Sequence, residues 1–301
     1  MSVPKPGATT VAHRPPAMAG MFYPDDPAAC RAMARAYVEE AGPAPAGRWV
    51  GGIVPHAGWV CSGAIAGQTI AAIARGGARP TPDVIVVFGA VHSPAPIDAA
   101  ALDTFGVWDL PSGEMRVHEE LRQALAQSDL FRFDDRFHER EHAVEVEAPL
   151  VQVAWPGAAI LPVEVPLIER AVEIGRETAR VVRAAELSAV YLASSDMTHY
   201  GPAYGFAPAG VGPAGLEWAK ANDRRLLELV CRLETGRVVE EVTGHMNACG
   251  GGAIAAMMAA CASEGAAAGV VLNHANSCET LARTHPQAPT NAVGYAALVL
   301  G

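Results

Sequence analysis

Between Asp83 and Gly89 the chain reads DVIVVFG, a continuous β-branched run of the kind needed by a strand buried on both faces. Ala90-Val91-His92 follows it and brings a histidine just past the run. The same succession occurs twice more. Trp49–Val54 runs into Pro55-His56 and then into the Ala-rich helical stretch Gly63–Ala74, while Leu187–Ala193 runs into Ser194-Ser195-Asp196-Met197-Thr198-His199. Further strands are expected at Ala158–Val165, Gly269–Asn273 and Asn291–Leu300, and helical spacing at Val117–Ala126, Glu141–Val153, Ile168–Ala185 and Leu216–Leu233. Strands alternating with helices predict an α/β fold with a mostly parallel central sheet flanked by helices. A length of 301 residues would allow two domains. Yet Pro43–Gly47 and Pro202–Pro213 are short loops that separate no halves of different composition, so one domain over 1–301 is expected, with 1–17 as an extended N-terminal arm.

Charge narrows the function. Only 18% of residues are charged, and 22 Lys and Arg against 32 Asp and Glu give a net charge of -10. That leaves no basic footprint for nucleic acid or an anionic membrane. The N-terminal stretch has no continuous apolar run, and Ala248–Ala262 is shorter than the ~20 residues that span a bilayer. A cytoplasmic location is therefore expected. The six cysteines lie far apart with no C-x-x-C pair, so neither a zinc knuckle nor a disulfide framework is suggested.

Ten histidines stand out against this sparse charge. In open α/β sheets, ligands bind beyond the carboxyl ends of the strands. His56, His92, and Asp196 with His199 all follow predicted strands, whereas any one of them alone would read as a surface or turn-capping residue. Cys249, in Asn247-Ala248-Cys249-Gly250-Gly251-Gly252, precedes a segment expected to be helical from about Ala253. A helix N-terminus favours the thiolate, which could be a ligand or a nucleophile; a small residue at a tight helix entry is the plain alternative. His138-Glu139-Arg140-Glu141-His142 matches H-E-x-x-H, the zinc-protease pattern. The apolar face that such a helix needs is missing from Glu139 to Glu141, and a solvated helix start reads equally well. On a helix His142 and Glu145 would share a face. Ser194-Ser195-Asp196 could offer a nucleophile near His199, or be a polar loop. His13, His118, His245, His274 and His285 lack such settings. No P-loop, dinucleotide fingerprint or G-x-S-x-G elbow is present.

Read in order, several segments resemble the Memo family, known in microbes as AmmeMemoRadiSam system protein B. They are Ala19-Gly20-Met21-Phe22-Tyr23-Pro24, Pro55–Gly63, Gly89-Ala90-Val91-His92, Glu141–Val146, Ser194–Gly201 and Ala248-Cys249-Gly250, with Val293–Leu300 similar to the family's closing strand. The resemblance implies a fold like that of the class III extradiol ring-cleaving dioxygenases, which hold a mononuclear non-haem Fe(II) by two His and a carboxylate. It further implies that His56, His92 and Cys249 are the metal ligands here, the Cys replacing the carboxylate. By the same carry-over His199 is the acid/base residue, and Asp196 and His142 complete the pocket. This chain departs from the family pattern at Ala90, Ala143 and Glu147, where family members commonly carry Pro, Ser and Gln.

Two imidazoles and a thiolate suit Fe(II), with Cu or Zn as alternatives, and leave positions for substrate and O₂. The expected function is a metal-dependent oxidoreductase acting on a small phenolic or other chelating molecule. The competing expectation is a metal-handling, redox-linked or peptide-binding protein working with partners of the AmmeMemoRadiSam system. Metal-assisted hydrolysis lacks a clearly placed carboxylate base.

Overall fold

Alternation within the apolar runs decides which layer each side chain joins. In the run at Val84–Ala90, Val84, Val86 and Phe88 enter one buried cluster while Ile85 and Val87 enter another. Successive residues of a strand point to opposite faces, so a run that is apolar throughout needs cover on both sides. The computed structural model supplies it, describing residues 11–76, 81–282, 284–285 and 288–301.

The strands are β1 (His13–Arg14), β2 (Gly51–Val54), β3 (Val84–Ala90), β4 (Ala100–Leu102), β5 (Val107–Trp108), β6 (Met115–Arg116), β7 (Phe131–Phe133), β8 (Ala159–Val165), β9 (Ala189–Ser194), β10 (His199–Tyr200), β11 (Gly269–Asn276) and β12 (Ala292–Leu300). The helices are α1 (Pro27–Glu39), α2 (Trp59–Arg75), α3 (Glu119–Leu125), α4 (Ala148–Ala154), α5 (Ala171–Ala184), α6 (Pro213–Cys231), α7 (Val238–His245), α8 (Gly251–Ser263) and α9 (Ser277–Thr280).

A nine-stranded sheet runs β10-β12-β2-β9-β3-β8-β4-β7, with β11 also paired to β12, and a small sheet joins β1, β5 and β6. Helices α3, α5, α6, α7 and α8 cover one face of the large sheet, and α1, α2 and α4 the other. The sheet is mixed rather than mostly parallel. It is parallel through β2, β9, β3 and β8, where the successive strand-helix units lie. It turns antiparallel where β12 meets β2, β10 and β11, and where β4 meets β8. The chain from β11 turns back through the short α9 and residues 281–291 into β12, and the two strands pair antiparallel.

The helix expected over Glu141–Val153 is the clearest correction: residues 143–147 form turns, and α4 begins only at Ala148. The Glu141 carboxylate accepts the amides of His142 and Ala143, and the buried Arg14 guanidinium binds the carbonyls of His138 and Glu141. Those groups are spent on side chains and cannot form the helical ladder. Of the arm expected over 1–17, residues 1–10 lie outside those described; Arg14 on β1 is wholly buried, stacked over Trp108 at 4.1 Å. No helix among the described residues is long and apolar enough to cross a membrane.

Candidate metal centre

The parallel strands deliver their polar residues to one end of the sheet. His56 follows β2, His92 follows β3, and Asp196 follows β9, beside Ser194 and Ser195 at the strand's end. Cys249 arrives from the other direction, just ahead of α8, whose N-cap is Gly250. The glycines after Cys249 let that helix start pressed against the sheet: a Cβ on Gly252 would lie 2.1 Å from the Pro166 carbonyl oxygen, and one on Gly250 2.7 Å from Ser195 Cβ.

Three imidazoles face one another there. The ring centroids of His56, His92 and His142 lie 4.4–5.2 Å apart, and one donor nitrogen from each falls within 4.8 Å of the others. Every Nδ1 is already engaged from behind. That of His56 is 2.9 Å from Ser194 Oγ, that of His92 2.8 Å from Glu141 Oε1, and that of His142 3.1 Å from the same carboxylate oxygen. Metal-ligating histidines are oriented in this way, by a hydrogen bond at the nitrogen that does not bind. Cys249 Sγ lies 3.2 Å from His56 Nε2, so a sulfur joins the nitrogens. The donor types suit a first-row transition metal: His56, His92 and His142 form the group whose ligand atoms lie within 4.8 Å of one another, and Cys249 could join them from beside His56.

Electrostatics inside the cluster are strong. Burial opposes ionisation of the Cys249 thiol, but the charge and hydrogen bond of His56, with a hydrogen bond from His92, outweigh it and bring the pKa down to about 5. Burial likewise opposes protonation of His56, and Cys249 and Asp196 carry it up to about 9. His92 rises to about 10 because hydrogen bonds with Cys249 and Glu141 overcome burial. Glu141 is held far below the usual carboxylate range by His142 and His92, again against burial. These directions describe the cluster without metal; a bound cation would displace the protons.

His199 and Asp196 sit beside this cluster. Asp196 Oδ1 accepts the His56 amide at 2.9 Å, and Oδ2 lies 3.9 Å from His199 Nε2, which keeps the His199 pKa raised against partial burial. His199 and Cys249 open onto a cleft of about 260 Å³ with Met197, Tyr204, Phe206, Met246 and Ala248. The six residues marked by the family resemblance, His56, His92, His142, Asp196, His199 and Cys249, therefore lie at one end of the sheet.

Other candidates fall elsewhere. His138 is fully buried, its Nε2 3.1 Å from the Ala101 carbonyl oxygen, and Glu145 is saturated by Arg14, Tyr23 and two backbone amides. The H-E-x-x-H pattern thus does not form a pair on one helix face. His274 pairs with Asp223 at 2.8 Å. Ser194 is bonded to His56 and to the Ala143 carbonyl, an orienting role rather than that of a nucleophile. Glu141 is the residue that sequence reasoning missed; its signal was a carboxylate directly before His142. Glu147 and Glu164, also unforeseen, are fully buried with no hydrogen-bond partner among the described residues, and burial pushes both far above the usual range. A lone Glu within the apolar run of β8 was the visible hint of the second.

A family profile described as Memo-like protein matches residues 14–299. The chain belongs to the Memo family. A MEMO1 family protein of Methanopyrus kandleri is 30% identical over 299 residues, covering 95% of this chain and 98% of its own. Another, from Thermococcus kodakarensis, is 30% identical over 302 residues, with 95% and 98% covered, and one from Pyrococcus furiosus is 28% identical over 294. In this Memo-family chain the six motif segments have distinct places around the centre. Phe22, from the first of them, packs its ring 5.0 Å from His142 and accepts the Trp59 amide on its carbonyl.

Proposed function

We propose that this chain is a metal-dependent redox protein whose centre is held by His56, His92 and Cys249. The observation that carries the reading is the convergence of three imidazoles, each with Nδ1 engaged from behind, beside a thiol 3.2 Å from one of them. Fe(II) bound there supplies redox chemistry toward O₂ on a small phenolic or other chelating substrate, and Cu or Zn are the other metals the donors accept. The protein's own groups do the rest. Ser194 and Glu141 fix the ring planes, so little reorganisation accompanies binding. Asp196, anchored on the His56 amide, favours a proton on His199 Nε2, at the mouth of the cleft, where it can be exchanged with an entering hydroxyl group. Tyr204 and Phe206 offer that substrate apolar walls, and Phe22 packs against the His142 ring in the imidazole cluster.

A second reading draws on Cys249 itself. A thiolate in the donor set favours soft metals and is open to oxidation, which suits a metal-handling or redox-linked partner without turnover. Metal analysis after anaerobic loading with Fe(II) tests the centre: one equivalent is expected in the native chain and a large loss in His56→Ala and Cys249→Ala. Equal loading of all three would sink the proposal. O₂ uptake with catechols that depends on His199 supports the enzyme, whereas tight Cu(I) binding with no uptake supports the second reading.

A further inference from the structure

A second cleft lies away from the metal centre. It has a volume of about 530 Å³ and is bordered by α1, by the turn into β6, by the end of α4 and by Gly157 and Ala158, which precede β8. The cleft therefore opens near the amino end of a central strand, whereas His56, His92 and Asp196 follow the carboxyl ends. Arg31 and Arg35, one turn apart on α1, and Arg116 on β6 all line it. None of these three guanidinium groups is hydrogen-bonded or ion-paired among the described residues. Elsewhere in this acidic chain Arg14, Arg122, Arg225 and Arg237 each meet a carboxylate, while Arg75 bonds backbone carbonyls alone. Glu39 and Glu114 also border the cleft, but neither pairs with these arginines, and Glu114 has its carboxylate within 4.8 Å of ligand atoms of His13 and Asp109.

The wall between is held in place. Gln152 on α4 accepts from Ser112 Oγ and donates to the carbonyls of Gly113 and Glu114 at 3.0 Å, tying the turn to the helix. Buried Met115 and Trp155, with Val153, give the cleft an apolar side.

We propose that this cleft binds a small phosphate monoester carried on an apolar body. Concave sites of 300–1,000 Å³ lined by apolar groups with a few placed polar ones are the usual form of a small-molecule site. Three guanidinium groups offer more N–H donors than a carboxylate's roughly four acceptor positions can take up, and suit the oxygens and near-double charge of a phosphate better. Cβ atoms one helical turn apart, about 5–6 Å, let Arg31 and Arg35 close on one anion.

The test is a titration of the metal-free full chain with naphthyl phosphate and, separately, with inorganic phosphate and naphthoate. Saturable binding of naphthyl phosphate that weakens with salt is expected, at least tenfold tighter than that of either comparison ligand. Arg35→Ala and Arg116→Ala, both at exposed positions, should each weaken it at least tenfold. Cys249→Ala should leave it unchanged, which separates this site from the metal centre. No saturable binding, equal binding of inorganic phosphate, binding unmoved by both arginine substitutions, or binding lost in Cys249→Ala would each overturn the proposal.

Discussion

Cys249 and His56 face each other at 3.2 Å, and each changes the other's ionisation. The thiol, ordinarily titrating at 9.0, falls to about 5; its contribution to stability is complete above the ordinary value and is lost as pH drops through 5. His56, ordinarily at 6.5, rises to about 9; its contribution is complete below 6.5 and is lost as pH climbs through 9. The metal-free pair thus supports the fold most strongly between about pH 5 and 9. Alkylation of Cys249 by iodoacetamide in metal-free protein should be half-maximal near pH 5, and His56→Ala should move that midpoint upward by more than a pH unit. A midpoint that stays near 9 in the native chain would show that no ion pair forms. The thiol was legible as special from its place before a glycine run and a helix. Its pairing with His56 was legible only through the family resemblance, because 193 residues separate the two and no local pattern links them.

At the level of elements, the two-residue strand β1 does more than its length suggests. Its Arg14 donates to the His138 and Glu141 carbonyls and to Glu145, and so pins the loop that carries Glu141 and His142. Glu141 in turn orients two imidazoles. Arg14→Lys keeps the charge but loses the fork that reaches several acceptors at once. It should weaken metal binding by on the order of 10–100-fold, the usual cost of disturbing the groups behind a ligand. Competition with a chelator of known affinity measures this; an unchanged affinity with a lowered Tm would reduce Arg14 to a structural role. The charged stretch at 138–147 reads as a helix because its spacing allows one. The local sequence does not reveal that Arg14, more than a hundred residues earlier, takes two of its carbonyls.

On the scale of the whole molecule, the ligand candidates come from the ends of β2 and β3 and from the start of α8, on chain segments that meet only when the sheet is complete. A metal that binds them should stabilise the native state alone. At a free concentration a hundred times Kd the gain is about 2.7 kcal/mol, a rise of a few degrees in Tm for a chain of this size. Calorimetry with and without Fe(II) should show that rise in the native chain and its absence in Cys249→Ala.

The apolar runs of β2, β3, β8, β9 and β12 were legible because strands covered on both faces must be apolar throughout. The polar residues after them were legible because a parallel sheet sends those positions to one end. Pattern and spacing are local, so they carry that much. The antiparallel flanks, the turns at 143–147, the role of Glu141 and the arginines of α1 and β6 left without partners among the described residues depend on which distant groups meet, and tertiary packing alone decided them.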